Sequence, residues 1–361
     1  MPKPTVTDAG GNVLVEGKDY ELRYANNINA GTAKITVVCR GDYVGETTVE
    51  FEIAPTKITS AVGADKTYNG KAQTTTWTVK AGSLAVPAAG YTVSAYKTNT
   101  NAGTATAMVK GKGNFTGSVT GKFKISPAKI TAVATKASVA YTGKAVKPKL
   151  TVKAGSATVA ASGYTATWSN NTKAGTATVS VTGKGNYTGS AKTTFKIVAP
   201  TVQYKVHRQT YGWETEWKRN GDQSGTVGES KRLEGIYVML GKDFPVSGGI
   251  RYKTHGQRNG WEPDWRYSGQ LSGTLGESKR LEAIRIELTG DMAKAYDVYY
   301  RVHAQQLGWM GWAKNGADAG TAGYSYRLEA IQIVLVPKGG AAPAKTLKGA
   351  TQKVAQAFVQ K

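Results

Sequence analysis

His207-Arg208-Gln209-Thr210-Tyr211-Gly212-Trp213 returns as His255-Gly256-Gln257-Arg258-Asn259-Gly260-Trp261, and again as His303-Ala304-Gln305-Gln306-Leu307-Gly308-Trp309. These are the only histidines in the chain, spaced by 48 and 48 residues. A second tryptophan follows each phrase: Trp217, Trp265 and, one residue closer, Trp312. Then come Gly225-Thr226, Gly273-Thr274 and Gly320-Thr321, and each unit closes on Arg-Leu-Glu-x-Ile, beginning at Arg232, Arg280 and Arg327. Val202 to His207 alternates like a strand, as do Leu233 to Leu240 and Leu281 to Leu288, and no helical period competes. A fixed period means one supersecondary unit per repeat, with the core buried between units. Three equal units (201–248, 249–295 and 296–336) predict a pseudo-threefold β domain over 201–336, either a β-trefoil or a β-prism. Such closure removes the free sheet edges that aggregate.

Upstream, a second period runs at 72 residues. Asn29-Ala30-Gly31-Thr32-Ala33 matches Asn101-Ala102-Gly103-Thr104-Ala105 and Lys173-Ala174-Gly175-Thr176-Ala177. Gly41-Asp42-Tyr43-Val44-Gly45 matches Gly113-Asn114-Phe115-Thr116-Gly117 and Gly185-Asn186-Tyr187-Thr188-Gly189. Thr104, Thr106 and Met108 alternate with Ala105, Ala107 and Val109, a strand with one buried face. The Asn and Gly residues suit turns that need positive φ. Short strands between such turns predict immunoglobulin-like β-sandwich repeats over 1–54, 55–126 and 127–199, with Pro55, Pro127 and Pro200 at the junctions. The chain is therefore expected to be all-β. Tyr68-Asn69-Gly70-Lys71 and Tyr141-Thr142-Gly143-Lys144 open the second and third units. In the first unit that opening would fall before residue 1, so the reading expects a fragment whose natural N-terminus lies upstream. Residues 337–361 read as a linker leading into a short helix or a further element.

The 72-residue units resemble the bacterial immunoglobulin-like (MBG-like) repeats of Gram-positive surface proteins, in which such units look like spacers. The 48-residue units resemble the clostridial hydrophobic-tryptophan (ChW) repeat of secreted and surface proteins. That resemblance implies extracellular, secreted or wall-associated placement and a role in adhesion or polysaccharide attachment, without naming a ligand.

The residues themselves suggest where a ligand would bind. Exposed indole faces stack on the C–H faces of sugar rings, and amide side chains bond the hydroxyls. Trp217, Trp265 and Trp312, with Gln209, Gln257 and Gln305, are the candidate ligand-binding set. Trp213, Trp261 and Trp309 follow a tight glycine turn and read as structural, because a buried indole is a large core contribution. His207, His255 and His303 read as bonding their own repeat's turn, not as metal ligands. Arg232 with Glu234, Arg280 with Glu282 and Arg327 with Glu329 lie two apart, on one strand face, and read as structural ion pairs across neighbouring strands. Tyr43, Phe115 and Tyr187 read as packing residues, and Trp77 and Trp168 do not match between repeats.

Composition sets the remaining limits. There are 47 Lys+Arg against 24 Asp+Glu, a formal charge of +23, which attracts polyanions such as wall polymers. The cations are dispersed, which argues against a dedicated nucleic-acid groove. No run reaches the roughly eighteen apolar residues of a membrane span. The single cysteine, Cys39, has no internal partner and reads as a small buried hydrophobe. Reactive residue types recur in every repeat, so no separate catalytic constellation stands out, and no cofactor or metal is expected. The partner is expected to be a cell-wall polymer or other polysaccharide, or else a host or bacterial surface protein. A further alternative is a targeting region of a larger secreted wall hydrolase.

Overall fold

The computed structural model describes residues 1–361. Strands carry nearly all of its regular structure, and its one α-helix, Gly290–Ala295, is six residues long. Two compact units are present. One holds Met1–Ala132, Val152–Thr165 and Val181–Ala191, and the other holds Val133–Thr151, Ala166–Ser180 and Lys192–Lys361. The division runs through the third 72-residue repeat.

In the first unit, the first repeat is an antiparallel sheet of Tyr20–Ala25, Gly31–Cys39 and Glu46–Ile53. Cys39 is half-exposed, not buried, because it is the last residue of its strand. The second repeat pairs Gly103–Gly111 with Ser118–Ser126 and with Tyr91–Lys97, all antiparallel. The predicted alternation holds: Ala105, Ala107 and Val109 are fully buried while Thr104 and Met108 face water. Two short segments also add in parallel, Ser60–Gly63 and Lys66–Thr67, both onto Ser118–Ser126. Phe115 and Tyr187 are packing residues: each lies over a glycine, Gly90 and Gly163, where a Cβ would collide with its ring.

Successive repeats are joined by one repeated device. The Asn114 side chain accepts from the Ala30 N–H (2.7 Å) and donates to the Asn29 side chain (2.9 Å). Asn186 does the same with Ala102 (2.7 Å) and Asn101 (2.9 Å). The turn's positive φ falls on Gly113 and Gly185, not on the asparagines, which leaves the amides free to bridge repeats.

In the second unit, Trp77's counterpart in function is Trp168. It packs edge-on against Phe195 (5.8 Å), as Trp77 in the first unit packs on Phe123 (5.9 Å). Two sequence positions thus reach the same place over equivalent phenylalanines.

The Trp repeats close on themselves. Each builds an antiparallel pair: Val202–Arg208 with Leu233–Leu240, Gly249–Gly256 with Leu281–Thr289, and Tyr296–Ala304 with Leu328–Pro337. Each sheet is then extended by a dipeptide from another repeat. Gly235 and Ile236 pair with Gly273 and Ser272, Ala283 and Ile284 with Gly320 and Ala319, and Ala330 and Ile331 with Gly225 and Ser224. The exchange is cyclic, so the threefold closure expected from the period is present. The ladders form three separate sheets, the pattern of a prism and not of one continuous barrel. Leu233, Ile236, Ile250, Ile284, Val298 and Ile331 fill the shared core.

Tyr204, Tyr252 and Tyr300, also 48 apart, are fully buried there. Their hydroxyls donate to the carbonyls of Asp222 (2.5 Å), Gln270 and Ala317. Tyr204 also accepts from the Ile333 N–H (3.2 Å) and Tyr252 from the Val238 N–H (3.0 Å), each in a different repeat. Burial pushes the Tyr252 phenol up to about 12.

At each exchange sits a glycine. Gly225, Gly273 and Gly320 have φ of +96°, +100° and +119°, and a Cβ on any of them would run into the carbonyl oxygen of Glu329, Glu234 or Glu282. Gly273→Ala therefore combines backbone strain with a backbone clash. It is expected to cost about 3 kcal/mol, read as a lower denaturant midpoint at unchanged slope. A loss near zero would contradict the close crossing.

Candidate functional site

In every repeat both tryptophans lie against the middle strand's cation or the residue opposite it on the return strand. The middle strand of each repeat offers a cation at the same position: Lys205, Lys253 and Arg301, 48 apart. Lys205 Nζ lies 5.7 Å from the Trp213 ring centroid, 5.2 Å from Trp217 and 5.9 Å from Tyr237. Trp213 and Tyr237 are themselves 4.6 Å apart. In the second repeat Lys253 lies 5.3 Å over Trp265, which also meets Arg251 at 4.7 Å, while Arg285 covers Trp261 at 4.2 Å. In the third, Arg301 lies between Trp309 (5.1 Å) and Trp312 (4.5 Å). Contacts of this kind strengthen as water is excluded.

The third wall of each clamp is the residue opposite the cation on the return strand: Tyr237, Arg285 or Gln332. Of the six tryptophans only Trp309 is fully buried; Trp213, Trp261, Trp217, Trp265 and Trp312 are all half-buried. The clamp cations carried no weight in the sequence reading, although their 48-residue spacing was there to be found.

Gln209, Gln257 and Gln305 are half-buried beside the histidines. Their backbone N–H groups each donate to the carbonyl of Arg232, Arg280 or Arg327 at 3.0 Å. Their side chains take no part in the cation–aromatic contacts.

Each Arg-x-Glu pair bonds within its own strand. The Arg232, Arg280 and Arg327 Nε atoms donate to Glu234, Glu282 and Glu329 at 2.9, 2.8 and 2.9 Å. The cross-strand partner of each carboxylate is the histidine: Nδ1 of His207, His255 and His303 lies 3.0, 3.2 and 3.0 Å from Glu234, Glu282 and Glu329. The buried Nδ1 atoms approach these carboxylates without a well-directed hydrogen bond. Each imidazole also meets the face or edge of its own repeat's first tryptophan, at 5.3 to 5.7 Å. The three histidines thus stay in their own repeats, and no group of three or more His, Cys, Asp or Glu could hold a metal.

Glu214 and Glu262 are also committed to structure. Glu214 accepts from the Val206 N–H (3.3 Å), the Ser224 hydroxyl (2.5 Å) and the Gly225 N–H (3.0 Å). Glu262 accepts from the Thr254 N–H (3.0 Å), the Ser272 hydroxyl and the Gly273 N–H (3.2 Å).

The third repeat replaces this pair with Met310 and Ala319 and relies on residues 338–361 instead. That segment is not helical. It forms a hairpin, Thr346–Leu347 with Ala350–Thr351, and a strand, Phe358–Gln360, parallel to Ala319–Ala322. It starts from buried Asp297. Burial alone would raise that carboxyl, but hydrogen bonds from Lys338, Asn315 and Lys314 hold it well below the usual carboxylate range. The segment then crosses the third clamp. Arg301 donates to the carbonyls of Lys345 and Ala350, both at 2.8 Å, and to the Gln332 side chain at 2.8 Å. The Trp312 indole N–H donates to the Ala344 carbonyl at 3.2 Å. Arg301 is completely buried, and desolvation pulls its guanidinium down to about 10.

Burial depresses the His303 pKa, partly offset by Glu329. The folded state therefore binds this proton less readily than the unfolded chain, and its stability is full above the unfolded value of about 6.5 and falls as pH drops through the folded value. The thermal midpoint is expected to fall from pH 7 to pH 5, with a shallower fall in His303→Gln. An identical or steeper fall in the variant would contradict this assignment.

The family described as Clostridial hydrophobic W (ChW) matches residues 207–242, 255–290 and 303–337. Each matched segment begins at one of the three histidines and runs through the return strand, so it takes in both tryptophans of its clamp, while the cations Lys205, Lys253 and Arg301 lie two residues before it. Together the matched segments cover less than a third of the chain. No curated protein matches the chain. Among solved structures, extracellular cadherin domains 1–4 of protocadherin gamma B7 align at 10% identity over 73% of this chain and 80% of that one, with a TM-score of 0.18. A likeness that slight carries no argument.

Proposed function

We propose that this chain is a non-catalytic part of a secreted or wall-associated surface protein, in which immunoglobulin-like spacer repeats present a Trp module that binds cell-wall or other polysaccharide. The observation that carries the reading is the pair of open clamps in the first and second Trp repeats. Half-buried Trp217 and Trp265 lie against Lys205, Lys253 and Arg251, and no tail segment crosses them as it crosses Trp312. An aromatic face backed by a fixed cation suits a sugar ring and its hydroxyls. Two such sites on one rigid module raise affinity for a repeating polymer through effective concentration. The +23 charge adds long-range attraction to anionic wall polymers. The ChW match supports a surface or wall-associated repeat module.

A protein partner is the second reading, in which the module serves adhesion. Its support is the third clamp, where the occupant is peptide. A targeting region of a larger wall hydrolase fits the same sites.

The test uses the full chain, pulled down with purified peptidoglycan and a panel of insoluble polysaccharides at low salt and at about 0.5 M salt, where the Debye length is only a few ångströms. Retention is expected to persist at high salt and to fall at least about tenfold in Trp217→Ala/Trp265→Ala, the equivalent of about 1.4 kcal/mol. Binding that salt abolishes and the variant keeps would reduce the interaction to charge. Binding to no polysaccharide would overturn the reading in favour of a protein partner.

A further inference from the structure

The third clamp carries its own occupant, and that occupant reports what the clamp recognises. Three amide carbonyl oxygens, those of Ala344, Lys345 and Ala350, converge on the Trp312 indole N–H and the Arg301 guanidinium. The equivalent donors of the first two repeats are Lys205 with Trp217 and Lys253 with Trp265. These cations make aromatic contacts only, and the four side chains are half-exposed. At equivalent positions an indole N–H and a cation are filled by amide oxygens in the third repeat, where the cation is Arg301, and make no protein hydrogen bond in the first two, where it is lysine.

A peptide is held in the third repeat by more than these donors. The Gly320 N–H donates to the Ala357 carbonyl (2.8 Å), and the Gly311 N–H to the Gln356 carbonyl (2.9 Å). Neither bond can be reproduced in the second repeat, where Glu262 already takes the Gly273 N–H (3.2 Å) and Pro263, lacking an N–H, stands in place of Gly311. In the first repeat Glu214 takes the Gly225 N–H (3.0 Å). The open repeats therefore keep an indole N–H beside a cation, here a lysine, while Glu214 and Glu262 take the glycine N–H that would hold a peptide strand.

We infer that the open clamps read the carbonyl oxygen of an acetamido group, so that the ligand is a polymer of N-acetylated amino sugars; this rests on the polysaccharide reading above. The indole offers a face to the sugar ring while its N–H and the neighbouring ammonium converge on the acetamido oxygen.

Two neutral oligosaccharides of equal length and the same β-1,4 linkage test this, one of N-acetylglucosamine and one of glucose. Each is titrated into the full chain at about 0.5 M salt and followed by tryptophan fluorescence and calorimetry. The acetylated sugar is expected to bind about tenfold more tightly, the worth of one good hydrogen bond. Lys205→Met/Lys253→Met is expected to shrink that preference severalfold while the thermal midpoint stays well above the assay temperature. Equal affinity for the two sugars would overturn the acetamido assignment while leaving polysaccharide binding intact. If neither sugar binds and a capped peptide of residues 344–351 does, both the assignment and the polysaccharide reading fail.

Discussion

No Trp repeat completes its own sheet. Each needs a Ser-Gly or Ala-Gly dipeptide from another repeat against its return strand, and the crossing is so close that only glycine fits at Gly225, Gly273 and Gly320. Because each sheet takes its edge from another repeat, loss of one crossing leaves a return strand with an open edge. The buried tyrosines reinforce it by tying each loop to a return strand in a different repeat. The clamps depend on this frame. The cation sits on the middle strand and its third wall on the return strand, so the register that closes the module also sets the geometry of the sites.

The third repeat departs from the other two in several places at once, and the departures explain one another. Met310 and Ala319 replace a Glu–Ser pair, so the Gly320 N–H is left for the Ala357 carbonyl. Gly311 replaces Thr215 or Pro263 because a Cβ there would meet the Ala355 carbonyl. Arg301 replaces lysine where a planar fork can serve Gln332, Lys345 and Ala350 together. These changes fit one repeat to the segment that follows it. The cost is a fully buried guanidinium, tolerable only while its donors are satisfied.

Much of the fold was legible in the sequence. The 48-residue period implied threefold closure, and the alternation at Ala105, Ala107 and Val109 implied their burial. The ladders then separated a prism from a trefoil, a distinction that depends on long-range pairing and leaves no local trace. The site was only half legible. Tryptophan spacing drew attention to Trp217, Trp265 and Trp312, but not to the cations against the indoles, which both tryptophans share in the first and third repeats and which differ between them in the second. The basic residues at 205, 253 and 301 carried no signal beyond their spacing, since alternation says which face a side chain takes and not what it stacks against. The tail was misread as a linker and possible helix because its strands exist only through pairing with distant residues.

The clamps of the first two repeats are open, while the chain itself closes the third. Solvent exchange of the tryptophan indole N–H protons, resolved by NMR on the full chain, tests this most directly. Fast exchange is expected at Trp217 and Trp265 and markedly slower exchange at Trp312, whose proton is held by the Ala344 carbonyl. Equal exchange at all three, or protection at Trp217 and Trp265 in the absence of ligand, would contradict it.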